Sequence, residues 1–309
     1  MSTLLEIRET MKQIYTKYEI YITPVLKFIL SLFTLLLINL NLGYMSKLNS
    51  LLLVLVISLA CSFLPINLII VISAGFVLGH LYAVSLECAM VAFALFTLLF
   101  LLYFRFSPKD TLVILLLPLC FLLRIPYVIP IAVGLVASPA SVVSVSFGIV
   151  VYYLIAYIKQ NATALSSMDA DNVVAKVKFI VDGMLNNKEM LVVVIAFSAA
   201  LVCTYLIKRI SMNYSWIIAM SSGTVLNIIF LLTGDLMFDT NISIFGLIFG
   251  SFVSIALLMV LQFFVFNVDY SRTEYVQFED DEYFYYVKAV PKNTVAKTEK
   301  TVKKITSVI

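Results

Sequence analysis

The sequence predicts an all-α polytopic membrane protein with about 8–10 membrane segments, two tandem blocks of opposite orientation, and broken or re-entrant helices. Three observations carry the fold class. Of the 309 residues 62% are hydrophobic and only 13% are charged, about half the charged share of a soluble domain. The mean hydropathy is +1.05. The apolar residues form long unbroken runs, which in lipid must be helices because each segment has to satisfy its own backbone hydrogen bonds. A barrel would instead show short segments of alternating polarity.

At the N-terminus, residues 1–23 place Leu4, Ile7, Met11, Ile14, Tyr18 and Tyr21 three and four apart. This is one apolar stripe opposite a charged face, predicting an amphipathic helix on the membrane surface. Charges at Glu6, Arg8 and Glu9 before the first apolar run exclude a signal peptide. The membrane region, 24–158, opens with a span from Pro24 to Leu42 and continues as two long blocks, 51–104 and 111–158, separated by "RFSPKD". An amphipathic extracytoplasmic segment (159–189), a three-span bundle (190–266) and a cytoplasmic tail (267–309) complete the organisation.

The two blocks match when one is shifted by 59 residues: Cys61 falls on Cys120, Gly75 on Gly134, and Val84-Ser85 on Val143-Ser144. Each opens with a run of 13 residues (51–63 and 111–123) that meets a proline. A second short run follows (66–79 and 127–138), then a longer helix. Runs that short fall below a comfortable span and fit re-entrant segments or short tilted spans. Pro65, Pro126 and Pro130 mark the expected helix breaks. Gly75, Gly79 and Gly134, with the echo Gly246 and Gly250, mark expected close packing.

The only charge between Thr111 and Ile158 is Arg124. A buried charge costs several kcal/mol and so faces a cavity or a partner, and the planar guanidinium suits a phosphate. The rival reading has Arg124 snorkelling at an outer turn. Asn67, Glu87 and His80 are the matching polar points of the first block. His80 and Glu87 would form a proton-coupled pair or cap an interfacial loop. These four residues are the candidate substrate-binding set. One histidine, and four cysteines without C-x-x-C spacing, imply no metal centre and no cofactor. No pair of acid, base or nucleophile points to an enzyme, and the net charge of +3, spread over loops and tail, gives no nucleic-acid footprint.

In the tail, Tyr275–Glu279 and Glu282–Val290 are expected to pair across Asp280-Asp281, with Glu279 facing Glu282. The alternative is a segment that orders on a basic partner. Glu279, Asp280, Asp281, Tyr283 and Tyr285 are the candidate contacts for a cytoplasmic protein. Basic residues at 105, 109, 208 and 209 predict cytoplasmic N- and C-termini.

With these motifs in place, residues 64–158 resemble the DedA/VTT superfamily. "LPINLIIVISAGFVLGHLYAV" is similar to that family's first re-entrant half, and "LRIPYVIPIAVGLVASPASVVSVSFG" to its second. The resemblance implies paired re-entrant hairpins and movement of lipids, including a polyprenyl-phosphate carrier, with Arg124 at the family's arginine before proline. The family's acidic residues near the first hairpin are absent, leaving Asn67 and Glu87. The tail resembles those of uncharacterised multi-pass proteins of anaerobic Gram-positive bacteria, implying a bacterial cytoplasmic membrane. The expected function is therefore a transporter or scramblase for an anionic, phospholipid-like or polyprenyl-phosphate substrate. The competing expectation is a non-transporting scaffold that recruits envelope or secretion partners through its tail.

Overall fold

A computed structural model of the protein describes residues 2–167, 173–210, 214–240, 243–265, 274–279 and 284–289. Among these residues are eleven α-helices and one β-hairpin. Seven helices are long and apolar enough to cross a membrane, so the chain is an all-α polytopic membrane protein. It divides into two compact units, 1–19 with 263–309, and 20–262.

The first helix, α1 (Ser2–Asn41), runs through the expected boundary at residue 23. Its irregularity lies earlier, at Tyr18, where φ −115° and ψ 20° leave the helical region. Pro24 removes one donor but does not end the helix, as lipid-embedded helices tolerate. Ile7, Met11, Ile14, Tyr18 and Tyr21 of the apolar stripe are exposed.

In the first block, α2 (Leu51–Phe63), α3 (Ile66–Val84) and α4 (Leu86–Phe106) follow one another. In the second, α5 (Thr111–Leu122) and α6 (Val128–Val136) precede a 3₁₀ turn at Pro139–Ser141 and α7 (Val142–Ser167). The blocks share the order short helix, second helix, long helix, but their second helices differ. The expected short run 66–79 is one 19-residue helix, because nothing between Ile66 and Val84 removes a backbone donor. Its counterpart α6 has 9 residues. Pro139 cannot donate to the Leu135 carbonyl, and Ser138 before it is extended (φ −111°, ψ 165°). The Lys208 ammonium donates to the carbonyl that Pro139 leaves free.

Pro65 caps α3, and Pro126 lies in the α5–α6 turn. Pro130 is no break: it occupies the first turn of α6, where the N–H would have no intrahelical partner. Within α5 the helix also carries an internal proline, Pro118.

Hydrogen bonds define two ends of the bundle. At one, the Ser107 and Ser144 hydroxyls are 2.6 Å apart, and the Tyr103 hydroxyl donates to the Pro108 carbonyl at 2.9 Å. At the other, His80 meets Asn39 and Lys176 meets Glu87. The chain enters α5 beside Thr111 and starts α7 beside Ser144, both at the Ser107 end. Its twelve-residue outward arm is about 18 Å long, short of the roughly 30 Å hydrocarbon core.

Downstream, α8 (Val173–Leu185) is the amphipathic segment expected outside the membrane blocks. The preceding α7 continues past residue 158 to Ser167. Three spans follow, α9 (Lys188–Lys208), α10 (Ser215–Phe238) and α11 (Ile244–Val265). Asn187 caps α9 by accepting from the Met190 N–H at 2.9 Å.

In the tail, β1 (Glu274–Glu279) pairs antiparallel with β2 (Phe284–Ala289), and Glu279 faces Phe284. The expected Glu279–Glu282 pairing is therefore corrected. Asp280, Asp281 and Tyr283 lie outside the described residues.

Candidate functional site

The sequence of α5 ends in a Schellman motif with arginine where glycine is usual. The Ile125 N–H donates to the Cys120 carbonyl at 2.9 Å and the Arg124 N–H to Phe121 at 3.1 Å. Arg124 has φ 61°, a left-handed conformation that costs a non-glycine residue roughly 1–2 kcal/mol. Backbone strain of this kind concentrates at functional sites.

One glycine packs α6 against α9 and another lies against this turn. A Cβ at Gly134 would lie 2.7 Å from the Leu201 carbonyl, and one at Gly250 would lie 2.8 Å from the Tyr127 ring and 3.4 Å from the Arg124 carbonyl. The helices therefore approach closely at Gly134 and Gly250. Gly75, expected to do the same, is a correction: its missing Cβ would meet nothing within 4 Å. Gly79 lies against the Leu48 side chain rather than a second helix.

Arg124 is exposed at the edge of a cleft of about 240 Å³, walled by Tyr127, Tyr152, Tyr153, Glu189 and Ser243. The Tyr153 hydroxyl donates to Glu189 at 3.1 Å. Among the described residues the Arg124 guanidinium has no hydrogen bond or ion pair. The cleft thus offers an unpaired planar cation, a carboxylate already engaged by tyrosine, and a hydroxyl. Such a set can hold an anion bidentately and orient its remaining oxygens.

The other three candidates lie elsewhere. Asn67 accepts from the Thr111 hydroxyl, and from Tyr103 at 3.5 Å, so it joins α3, α4 and α5 at the Ser107 end. His80 is fully buried. Its Nδ1 accepts the Met45 N–H at 3.1 Å, and its Nε2 lies 2.8 Å from Asn39 Oδ1. An Nδ1 that accepts leaves the proton on Nε2, so neutral His80 donates to Asn39. Glu87, in the first turn of α4, lies 3.7 Å from Lys176 of α8 with both side chains buried. The expected His80–Glu87 pair does not form, because each residue is engaged by a different element.

A second cavity, about 510 Å³, lies between α1, α3, α4, α5 and α7. Its walls are mostly apolar, and Asn41, Lys159 and Gln160 gather at one mouth. The half-buried Phe121 and Tyr152 rings are stacked, centroids 4.4 Å apart and planes 13° apart. Tyr152 lines both cavities, whereas Phe121 lines the cleft alone. Sequence reasoning did not single out Tyr152, Tyr153, Glu189 or Lys159 as site residues. Glu189 had a local signal, a carboxylate two residues past a capping asparagine at the start of a span. Cys61 and Cys88 are buried and Cys120 and Cys203 partly so, and Cys88 Sγ accepts from the Ser85 hydroxyl at 3.1 Å.

No family model, no curated protein and no solved structure matches the chain.

Proposed function

We propose that the protein is a transporter or scramblase for an anionic, phospholipid-like or polyprenyl-phosphate substrate in a bacterial cytoplasmic membrane, with both termini cytoplasmic. The observation that carries this reading is Arg124: an unpaired guanidinium on strained backbone, lining a cleft at the end of a helix too short to span. In this account α5 and α6 form a re-entrant hairpin and the two blocks are inverted repeats, as the family resemblance implies. Arg124 takes the phosphate, and Ser243 contacts its remaining oxygens. The Glu189 carboxylate accepts from the Tyr153 hydroxyl and makes no ion pair with Arg124. The role is binding and passage, with no covalent step on the substrate.

The scaffold reading draws on one observation. Tyr285, Tyr286 and Val287 in β2 are exposed, and such a strand can accept a partner by edge pairing or side-chain contact. Truncation after Val268 separates the two readings. Proteoliposomes holding the truncated protein should move a fluorescent anionic phospholipid between leaflets as fast as the full chain does. Loss of movement on truncation, or none with either protein, would remove the transport reading.

A further inference from the structure

The larger cavity has a shape and polarity that the Arg124 cleft does not explain. Its walls on α7 run from Phe147 through Val151 and Ile155 to Lys159. Those twelve residues of rise are about 18 Å, against about 15 Å for one leaflet of the hydrocarbon core. The volume of about 510 Å³ falls within the range of roughly 300–1,000 Å³ typical of ligand cavities. The space is mostly apolar, with Asn41, Lys159 and Gln160 at one part of its wall.

The chemistry of that part of the wall selects one class of occupant. Lys159 and Gln160 are exposed, and the Lys159 ammonium reaches only the Asn41 side-chain oxygen, at 3.4 Å. Among the described residues no carboxylate pairs with Lys159. An ammonium, a carboxamide and a second amide side chain at the interface match a phosphate. The apolar length beneath them matches one hydrocarbon chain.

We propose that this chamber is a lipid-binding site, separate from the Arg124 cleft, that takes one chain of a lipid phosphate with its headgroup at Lys159, Asn41 and Gln160. Phe121 and Arg124 line the cleft but not this chamber, and Tyr152 is common to both. The site does not depend on transport, and its test reads occupancy whether or not any lipid crosses.

The experiment uses the full chain in phosphatidylcholine nanodiscs. Trace phosphatidic acid carries a photoreactive diazirine on its acyl chain, and a phosphatidylcholine probe with the same chain serves as comparison. Crosslinks to Ser73, Leu115 and Val151 report the chamber. The phosphatidic acid probe should label these positions about fivefold more than the phosphatidylcholine probe, the scale of one interfacial lysine acting on an anionic lipid. Lys159→Ala should erase that preference and Lys159→Arg should keep it. Leu115→Trp should block labelling by filling the chamber, with a melting curve confirming that the variant is folded. Inorganic phosphate at millimolar concentration should leave labelling intact. Absence of chamber crosslinks, equal labelling by both probes, a preference unchanged in Lys159→Ala, or displacement by free phosphate would each overturn the proposal.

Discussion

The Phe121 ring lies on the Tyr152 ring with centroids 4.4 Å apart and planes 13° apart, and Tyr152 is the side chain shared by the Arg124 cleft and the apolar chamber. Phe197 extends the stack on the other side of Phe121, at 6.0 Å and 17°. Phe121 comes from the end of α5, Tyr152 from α7 and Phe197 from α9, so the stack packs the end of α5 against its neighbours. Removing the Phe121 ring should join the two cavities and destabilise the bundle by about 1–3 kcal/mol, since the ring is half-buried. A cysteine at Ser73, which lines the chamber, should then react faster with a charged maleimide. An unchanged rate would show that the rings do not form the barrier.

The ion pair between Glu87 and Lys176 fastens α8 to the start of α4. Breaking a buried pair leaves one charge uncompensated and costs about 3–5 kcal/mol. Lys176→Met should therefore raise hydrogen exchange across Val173–Leu185, while the swap Glu87→Lys with Lys176→Glu should recover part of the protection. Equal exchange in the single variant and the wild type would mean that other contacts hold α8.

His80 spends both ring nitrogens on structure, tying α3 to Asn39 and to the Met45 backbone. His80→Ala should lower stability by about 2–4 kcal/mol, because two buried groups lose their partner. Transport per folded molecule should stay within about twofold of wild type, since no part of the anion contact is lost. A large drop in rate at unchanged folding would return His80 to the substrate-binding set.

The packing of α6 against α9 gives a test at glycine. A side chain at Gly134 collides with the Leu201 backbone, which cannot swing aside as a flexible side chain would. Gly134→Val should cost about 1–3 kcal/mol, whereas Gly75→Val, which meets open space, should change stability by less than about 0.5 kcal/mol. The difference is read from paired thermal melts in detergent, and equal losses would contradict the packing described.

Much of the fold was legible because lipid imposes a single rule, that apolar runs become helices. The two-block order, the amphipathic α8 and the tail hairpin all follow from periodicity and composition. The sequence did not separate α3 from α6, since both carry glycines and follow a proline. The difference rests on Pro139, which frees a carbonyl that Lys208 then takes up from 73 positions away in sequence. Gly75 and Gly134 sit at equivalent positions of similar runs, yet only the three-dimensional neighbour decides which one packs. Arg124 was visible as a lone charge. Its left-handed backbone, and the company of Tyr153 and Glu189, depend on helices far apart in the chain. Lys159 falls by sequence in the segment 159–189, and it is the length of α7 that brings it to the chamber.

The central claim is that Arg124 binds the anionic group of the substrate, and the direct measurement is leaflet exchange in proteoliposomes reconstituted with Arg124→Ala and Arg124→Lys. A lost charge-assisted bidentate contact is worth about 1.5–3 kcal/mol, so Arg124→Ala should slow exchange of a fluorescent anionic phospholipid about 10- to 100-fold. Arg124→Lys, a point charge without the planar fork, should fall between the two. Both variants should melt within about 1 kcal/mol of wild type, because the side chain is exposed at the turn. Exchange by the folded alanine variant at the wild-type rate would contradict the account.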